Sequence, residues 1–248
     1  MAISYIPFVF PGIPHIRCAF QTRVGGHSTG AYGGGNLSLV TQDERTSVIA
    51  NRLDLHKTLQ LEHIAELSQV HGDIFHFEPA PVGIDQAPVL EGDGFATRQP
   101  QRGLMIKTAD CQPVLLAHKG GAHVAALHVG WRGNRINFLA SGVQKFCAFY
   151  ALEACDLVAV RGPSLGPAMA EFVNYHTEWG PNFNPWYTSA SRTMDLWGLT
   201  RYQLEQAGLL PANIYGLDLC TYSMPEQFFS YRYAHESGRQ GSLIWITA

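Results

Sequence analysis

Apolar positions along the chain change period several times, and each change marks an element. In RTSVIANRLDLHKTLQL, Val48, Ile49, Leu53 and Leu59 suit one face of a helix, with Asp43 and Glu44 ahead of it as an acidic first turn. HIAELSQV mixes alternation with β-branched residues and predicts a strand that delivers His71 to its C-terminal end, with IFHF as its hairpin partner. LMIK, PVLLA and AHVAALH are short apolar runs. A KGG turn joins the last two into a β-hairpin with TADC and GWRG at the same open end. Ile136, Leu139, Val143, Phe146 and Tyr150 then recur at helical spacing, so the GWRG loop runs into a helix. DLVAVRGP reads as a buried strand, MDLWGLTRYQLEQAGLL as a helix closed near Gly208, and NIYGLDL and SLIWIT as strands.

Strands and helices mix without strict βαβ alternation, and hairpins are present. The expected class is α+β, with mixed β-sheets packed with flanking helices. No low-complexity linker or repeat divides the chain, so residues 1–248 are read as a single compact domain. Glycine is dense in VGGHSTGAYGGGN, which fits either close approach of backbone to a ligand or a flexible surface loop.

Composition narrows the function classes. With 46% hydrophobic and 15% charged residues the chain has material for a core and no bias toward disorder. The net charge of −3 and the absence of a Lys/Arg run argue against a nucleic-acid footprint. No stretch reaches the roughly 20 apolar residues of a membrane span. The opening MAISYIPFVFPGIP lacks a basic start and is interrupted by prolines, so a cytoplasmic N-terminus is expected. Five scattered cysteines without a CxxC pair read as reduced thiols, and no protein partner is implied.

The hairpin carries the chemistry. In an antiparallel pair, the residue before the first strand lies beside the residue that ends the second, which makes Cys111 and His128 neighbours. With His71 they would form two imidazoles and one thiolate, the count of a catalytic zinc site with an open fourth position. Other readings use the same residues. Cys111 also fits a buried small hydrophobe beside two satisfied histidines, or a nucleophile activated by His128 or His71. A structural zinc site or binding module would need a fourth protein ligand, for which His76, His118 and His123 are available.

TRVGGHSTGAYGGGN, QVHG, GDGFAT, KTADCQPVLL, HVGWRG, Gly162-Pro163 and CTYSMPEQFFSYRYAHESGR together resemble the polyphenol-oxidase or laccase-domain family, whose members are regarded as purine nucleoside phosphorylases. The similarity runs from about residue 20 to the C-terminus, and TADC with QVHG and HxGWRG is its specific part. The resemblance implies metal ligands at His71, Cys111 and His128. The chain departs from the family pattern at AEFVN, which keeps Glu171 but lacks the usual tyrosine, at Tyr233, and at His27.

Phosphorolysis of a nucleoside needs an anion site, a base pocket and a proton donor. Arg132 in GWRG, backed by a following helix N-terminus, and Arg23 in TRVGG are the anion candidates, against the alternative of surface salt bridges. Gln69 in QVHG is a further substrate-side candidate. Asp93 and Asp110 are the candidate proton-moving carboxylates beside Cys111, although either suits a turn cap. The expected substrates are purine nucleosides with phosphate, and adenosine deamination is a second activity open to the same metal-bound water. Amide hydrolysis on a muramyl-amino-acid nucleotide is the competing enzyme reading. The expected cofactor is Zn2+. Copper can occupy the same set in vitro, but a multicopper site is disfavoured because no His-x-His pair occurs.

Overall fold

The computed structural model describes residues 2–248; Met1, the first residue of the apolar opening, lies outside them. In chain order the strands are β1 (Tyr5–Phe8), β2 (Ile16–Gln21), β3 (His63–Ala65), β4 (Phe75–Phe77), β5 (Gly94–Thr97), β6 (Arg102–Thr108) and β7 (Gln112–His118). They continue with β8 (Val124–Val129), β9 (Leu157–Arg161), β10 (Tyr187–Thr188), β11 (Thr193–Met194), β12 (Ile214–Gly216) and β13 (Gln240–Ile246). The helices are α1 (Arg45–Leu59), α2 (Trp131–Arg135), α3 (Phe138–Tyr150), α4 (Tyr175–Glu178) and α5 (Leu196–Gln206).

Two mixed sheets stack face to face. One runs β1-β2-β13-β6-β3 and the other β12-β9-β7-β8-β5-β4, while β10 and β11 form a small separate ribbon. Phe20, Leu104, Ile106 and Ile244 of the first sheet meet Leu115, Val124, Ala126 and Val160 of the second in one buried cluster. Helix α1 covers the outside of the first sheet, with Leu55 and Leu59 against Met105, Leu243 and Trp245. Helices α3 and α5 cover the outside of the second, where Phe138, Val143, Phe146 and Leu204 pack on Val114, Leu116 and Leu127. A fully buried side chain of this size contributes about 1.5–3 kcal/mol relative to exposure. Strands β7, β8 and β9 are thus covered on both faces, which is why they read as continuous apolar runs rather than alternating ones. The α+β class and the mixed sheets with flanking helices are as expected.

Several local expectations are corrected. Strand β3 ends at Ala65 and pairs parallel with β6, so His71 is delivered by a loop rather than by a strand end. IFHF contributes β4, which pairs parallel with β5 in the other sheet and is no hairpin partner of β3. Helix α1 has no acidic residue in its first turn and buries Val48, Asn51, Arg52, Leu55 and Leu59, whereas Leu53 is exposed. The buried polar pair is stabilised from outside the helix: Arg52 bonds Glu66, which Lys107 also contacts. After β8 the chain forms the one-turn α2 before α3, and Ile136 is exposed between them. An N-terminus this short carries little dipole, so the helix support expected for an anion at Arg132 is weak.

Candidate metal centre

The register of the β7-β8 hairpin pairs Gln112 with Val129 and Pro113 with His128. Cys111 therefore sits level with Gly130, just past β8, and beside His128. His71 comes from the loop after Val70 with a left-handed backbone, φ 60°. Its Nε2 lies 3.7 Å from Cys111 Sγ, and the His71 and His128 rings meet edge to face at 4.7 Å. One ligand atom from each of His71, Cys111 and His128 falls within 4.8 Å of the others, so the three can hold a metal ion. A side chain at Gly130 would put Cβ 3.0 Å from Cys111 Sγ and 3.0 Å from His71 Cδ2, which explains the glycine before Trp131.

One buried carboxylate organises both histidines. Asp93 accepts the backbone N–H of His71 at 3.0 Å and of Gly72 at 2.7 Å, and bonds His128 Nδ1 at 2.8 Å. His128 Nε2 is thereby left facing the cluster, the arrangement in which a carboxylate behind a ligating histidine fixes its ring and tautomer. Burial would raise Asp93, but the hydrogen bonds from His128 and Gly72 hold it below the ordinary carboxylate range. Burial likewise pushes the Cys111 thiol up, and His128 and His71 reverse this, bringing it down to about 6. Burial would lower His128, yet the Cys111 thiolate and Asp93 lift it to about 9. Each group thus favours the charged form of the other, thiolate beside imidazolium, and a bound cation would displace the shared proton.

The cluster opens into a cavity of about 550 Å³. Asp110, Arg132 and Gln69 line it with the three cluster residues. Asp110 has φ 95° and accepts from Thr221 Oγ1 at 2.7 Å and from the Arg232 backbone N–H at 2.6 Å. Gln69 spends its amide on both backbone groups of Lys107, at 2.9 and 2.8 Å, and so acts as a tie between segments. Two candidates are placed elsewhere. Arg23 is not part of the cavity wall; it donates to Gly33 and Pro225 carbonyls and lies over the Phe229 ring. Asp93 is fully buried behind His128 and off the cavity wall, a positioning place rather than one for exchanging protons with a substrate. His76 bonds the Glu91 carbonyl, and His118 and His123 face each other and Tyr150, away from the cluster. Residue reasoning missed Lys107, Trp131, Phe172, Arg232, His235 and Arg239 on the cavity wall. Arg232, His235 and Arg239 lie in the CTYSMPEQFFSYRYAHESGR segment, whose density of polar and aromatic residues was the available signal.

The sequence profile of the family described as Multi-copper polyphenol oxidoreductase laccase matches residues 17–247. The chain belongs to this family. A protein of Pseudomonas aeruginosa named purine nucleoside phosphorylase is 30% identical over 245 residues, which covers 96% of each chain. The purine nucleoside phosphorylase YfiH of Escherichia coli is 32% identical over 243 residues, 93% of this chain and 94% of that one. The crystal structure of YlmD from Geobacillus stearothermophilus has the same fold, with a TM-score of 0.87 at 25% identity over 96% of this chain and 94% of that one. The family's laccase wording implies several metal clusters, whereas His71, Cys111 and His128 form the one such group among the described residues. Among those residues no helix is long and apolar enough to cross a membrane.

Proposed function

We propose that this protein is a purine nucleoside phosphorylase, the name its curated relatives carry, and that it depends on zinc. The observation that carries the reading is the His71–Cys111–His128 set at the wall of a cavity that also presents cationic Arg132 and Arg239 and aromatic Trp131, Phe172 and Tyr231. The donor set suits zinc. Bond lengths of about 2.1 Å to nitrogen and 2.3 Å to sulfur place such atoms about 3.5 Å apart across a tetrahedral ion; Nε2 and Sγ here are 3.7 Å apart. No fourth His, Cys, Asp or Glu joins the group among the described residues, which favours an open, catalytic arrangement over a structural one. Copper can occupy the same donors in vitro.

His71, Cys111 and His128 would hold the zinc, which supplies Lewis acidity at an open position. The remaining work falls to the chain. Arg132, exposed beside Trp131, supplies a guanidinium fork for phosphate. In the reaction a phosphate oxygen forms a bond to C1′ of the ribose while the C1′–N9 bond breaks, and the leaving purine takes up a proton. Asp110, a carboxylate on the cavity wall, is the group assigned to relay that proton. The aromatic wall offers faces for the base. Adenosine, inosine and methylthioadenosine are the expected substrates, and adenosine deamination is an additional activity of the same centre.

A second reading has its own observation. Asp93, His128 and Cys111 form a carboxylate–imidazole–thiolate series, the order found in thiol hydrolases. It fits cleavage of an amide in a muramyl-amino-acid nucleotide. Zinc-loaded protein assayed with phosphate on adenosine, inosine and methylthioadenosine separates the two. Turnover of none of them would sink the phosphorylase reading, and release of the amino acid from the muramyl nucleotide would favour the hydrolase.

A further inference from the structure

Arg239, just ahead of β13, is pinned along its backbone and at one end of its guanidinium, and free along the other edge. Its backbone N–H donates to Asn36 Oδ1 at 2.9 Å, and its carbonyl accepts from the Leu37 N–H at 3.0 Å. Nη1 is spent on the Ser237 and Gly238 carbonyls, at 2.7 and 2.8 Å. Nε and Nη2 have no partner among the described residues, and neither is among the five buried side-chain atoms that lack one, so both are open to solvent. These two nitrogens form the side of the guanidinium whose parallel N–H bonds grip two oxygens of a phosphate or carboxylate. Arg23 shows the same edge used up, with Nε and Nη2 both donating to the Gly33 carbonyl at 3.3 and 3.0 Å.

Arg239 is half-buried and lines the cavity. Burial lowers its pKa below the ordinary arginine range, and the charges of Cys111 and Asp110 on the same wall oppose this. Neither is bonded to it: Asp110 accepts from Thr221 and the Arg232 backbone, and Cys111 Sγ faces His71. Charges taken out of water are normally paired, so a half-buried guanidinium that keeps its gripping edge unspent beside a cavity calls for an anionic ligand. Arg132 and Arg232 also reach the cavity, but both are exposed, where water competes and a long side chain must be ordered on binding.

We infer that the Nε–Nη2 edge of Arg239 is the primary anchor for phosphate, gripping two of its oxygens at the cavity wall that also carries Cys111. The identity of the anion rests on the phosphorylase reading above. A two-point grip leaves the remaining oxygens for Arg132 and for bonding to C1′, and an edge already held in place costs little to order.

The test is isothermal titration of inorganic phosphate into the full-length zinc-loaded protein, without nucleoside, for wild type, Arg239→Gln and Arg239→Lys. Arg239→Gln should bind phosphate about 30-fold or more weakly than wild type, and Arg239→Lys, which keeps the charge without the fork, about tenfold more weakly. In adenosine phosphorolysis Arg239→Gln should raise KM for phosphate by a similar factor and leave KM for adenosine within about twofold. Phosphate affinity unchanged in Arg239→Gln overturns the inference, and full recovery in Arg239→Lys overturns the two-point grip. A purely structural role would weaken zinc retention, adenosine binding and phosphate binding together, which also overturns it. Should the variants fail to fold, phenylglyoxal labelling of wild type decides. Phosphate should protect Arg239 from modification, mapped by mass spectrometry, and leave exposed Arg98, off the cavity wall, unprotected. Equal labelling of Arg239 with and without phosphate overturns the inference. Phosphate binding that depends on Arg239 in a protein that turns over no nucleoside upholds the anchor and removes the phosphorylase reading alone.

Discussion

Two loops of this protein are rich in glycine and carry an arginine, and they do opposite things. In the loop from Thr22 to Asn36 the polar groups are spent inside the protein. Asn51 accepts from His27 N and donates to Ser28 Oγ and to the Asn36 carbonyl, and Asp43 accepts from Ser28 and Asn36. Arg23 is bound to carbonyls on both sides. Gly34 is required by the turn itself: its φ is 114° and a Cβ would fall 2.0 Å from the Arg23 carbonyl oxygen. The segment from His128 to Asn134 is different. Gly130 has an ordinary φ of −74° and is glycine because a thiol and an imidazole crowd it. The Arg132 side chain lines the cavity and makes no hydrogen bond or ion pair to another residue among the described residues. Glycine density and an arginine look alike in sequence. What separates a brace from a binding site is whether polar groups remain unspent.

The comparison breaks most directly at Cys111. Cys111→Ala is expected to cost about a thousandfold or more in kcat/KM for nucleoside phosphorolysis with the fold retained, measured beside circular dichroism. Next in size is Glu66→Gln, on the strut between α1, which braces the first loop, and Lys107 on the cavity wall. Removing the carboxylate strands buried Arg52 and should cost about 3–5 kcal/mol in urea unfolding. Burial would raise Glu66, but Lys107 and Arg52 hold it below its ordinary value. Its contribution is therefore present above the unfolded carboxylate range and lost as pH falls through the lower folded value. The acid limb of stability against pH should be shallower in Glu66→Gln than in wild type.

Asp93→Asn should weaken zinc affinity about 10–100-fold in chelator competition, because the amide orients His128 without supporting its basicity. Arg132→Ala should raise KM for phosphate about tenfold. The smallest expected effect sharpens the contrast: Arg23→Ala should change KM for phosphate by less than about twofold while lowering Tm by about 3 °C. A phosphate KM that responds to Arg23 and ignores Arg132 would invert the assignment of the two loops.

The hairpin was legible in the sequence because its strands are buried on both faces and joined by a tight glycine turn, so apolar runs and turn chemistry agreed. Its register then made neighbours of Cys111 and His128 without outside help. His71 was not placed correctly by the pattern. The chain leaves the sheet after Ala65, and Gln69 substitutes for a strand partner through both backbone groups of Lys107, a contact across 38 positions that no local period encodes. Asp93 was read as a catalytic carboxylate or a local turn cap. It does accept backbone N–H groups, but from Val70, His71 and Gly72 far earlier in the chain, and it also bonds His128. Arg52 and Asn51 blurred the helical face of α1 because their partners lie on other elements. In each case the missing information was a polar partner distant in sequence.

The central claim is that His71, Cys111 and His128 bind a catalytic metal. The most direct measurement is zinc per chain by elemental analysis in wild type and Cys111→Ala, each paired with phosphorolysis of adenosine. The account predicts one zinc and turnover in wild type, and loss of both in the variant. Full zinc occupancy in an inactive Cys111→Ala protein would contradict it and make Cys111 a nucleophile instead.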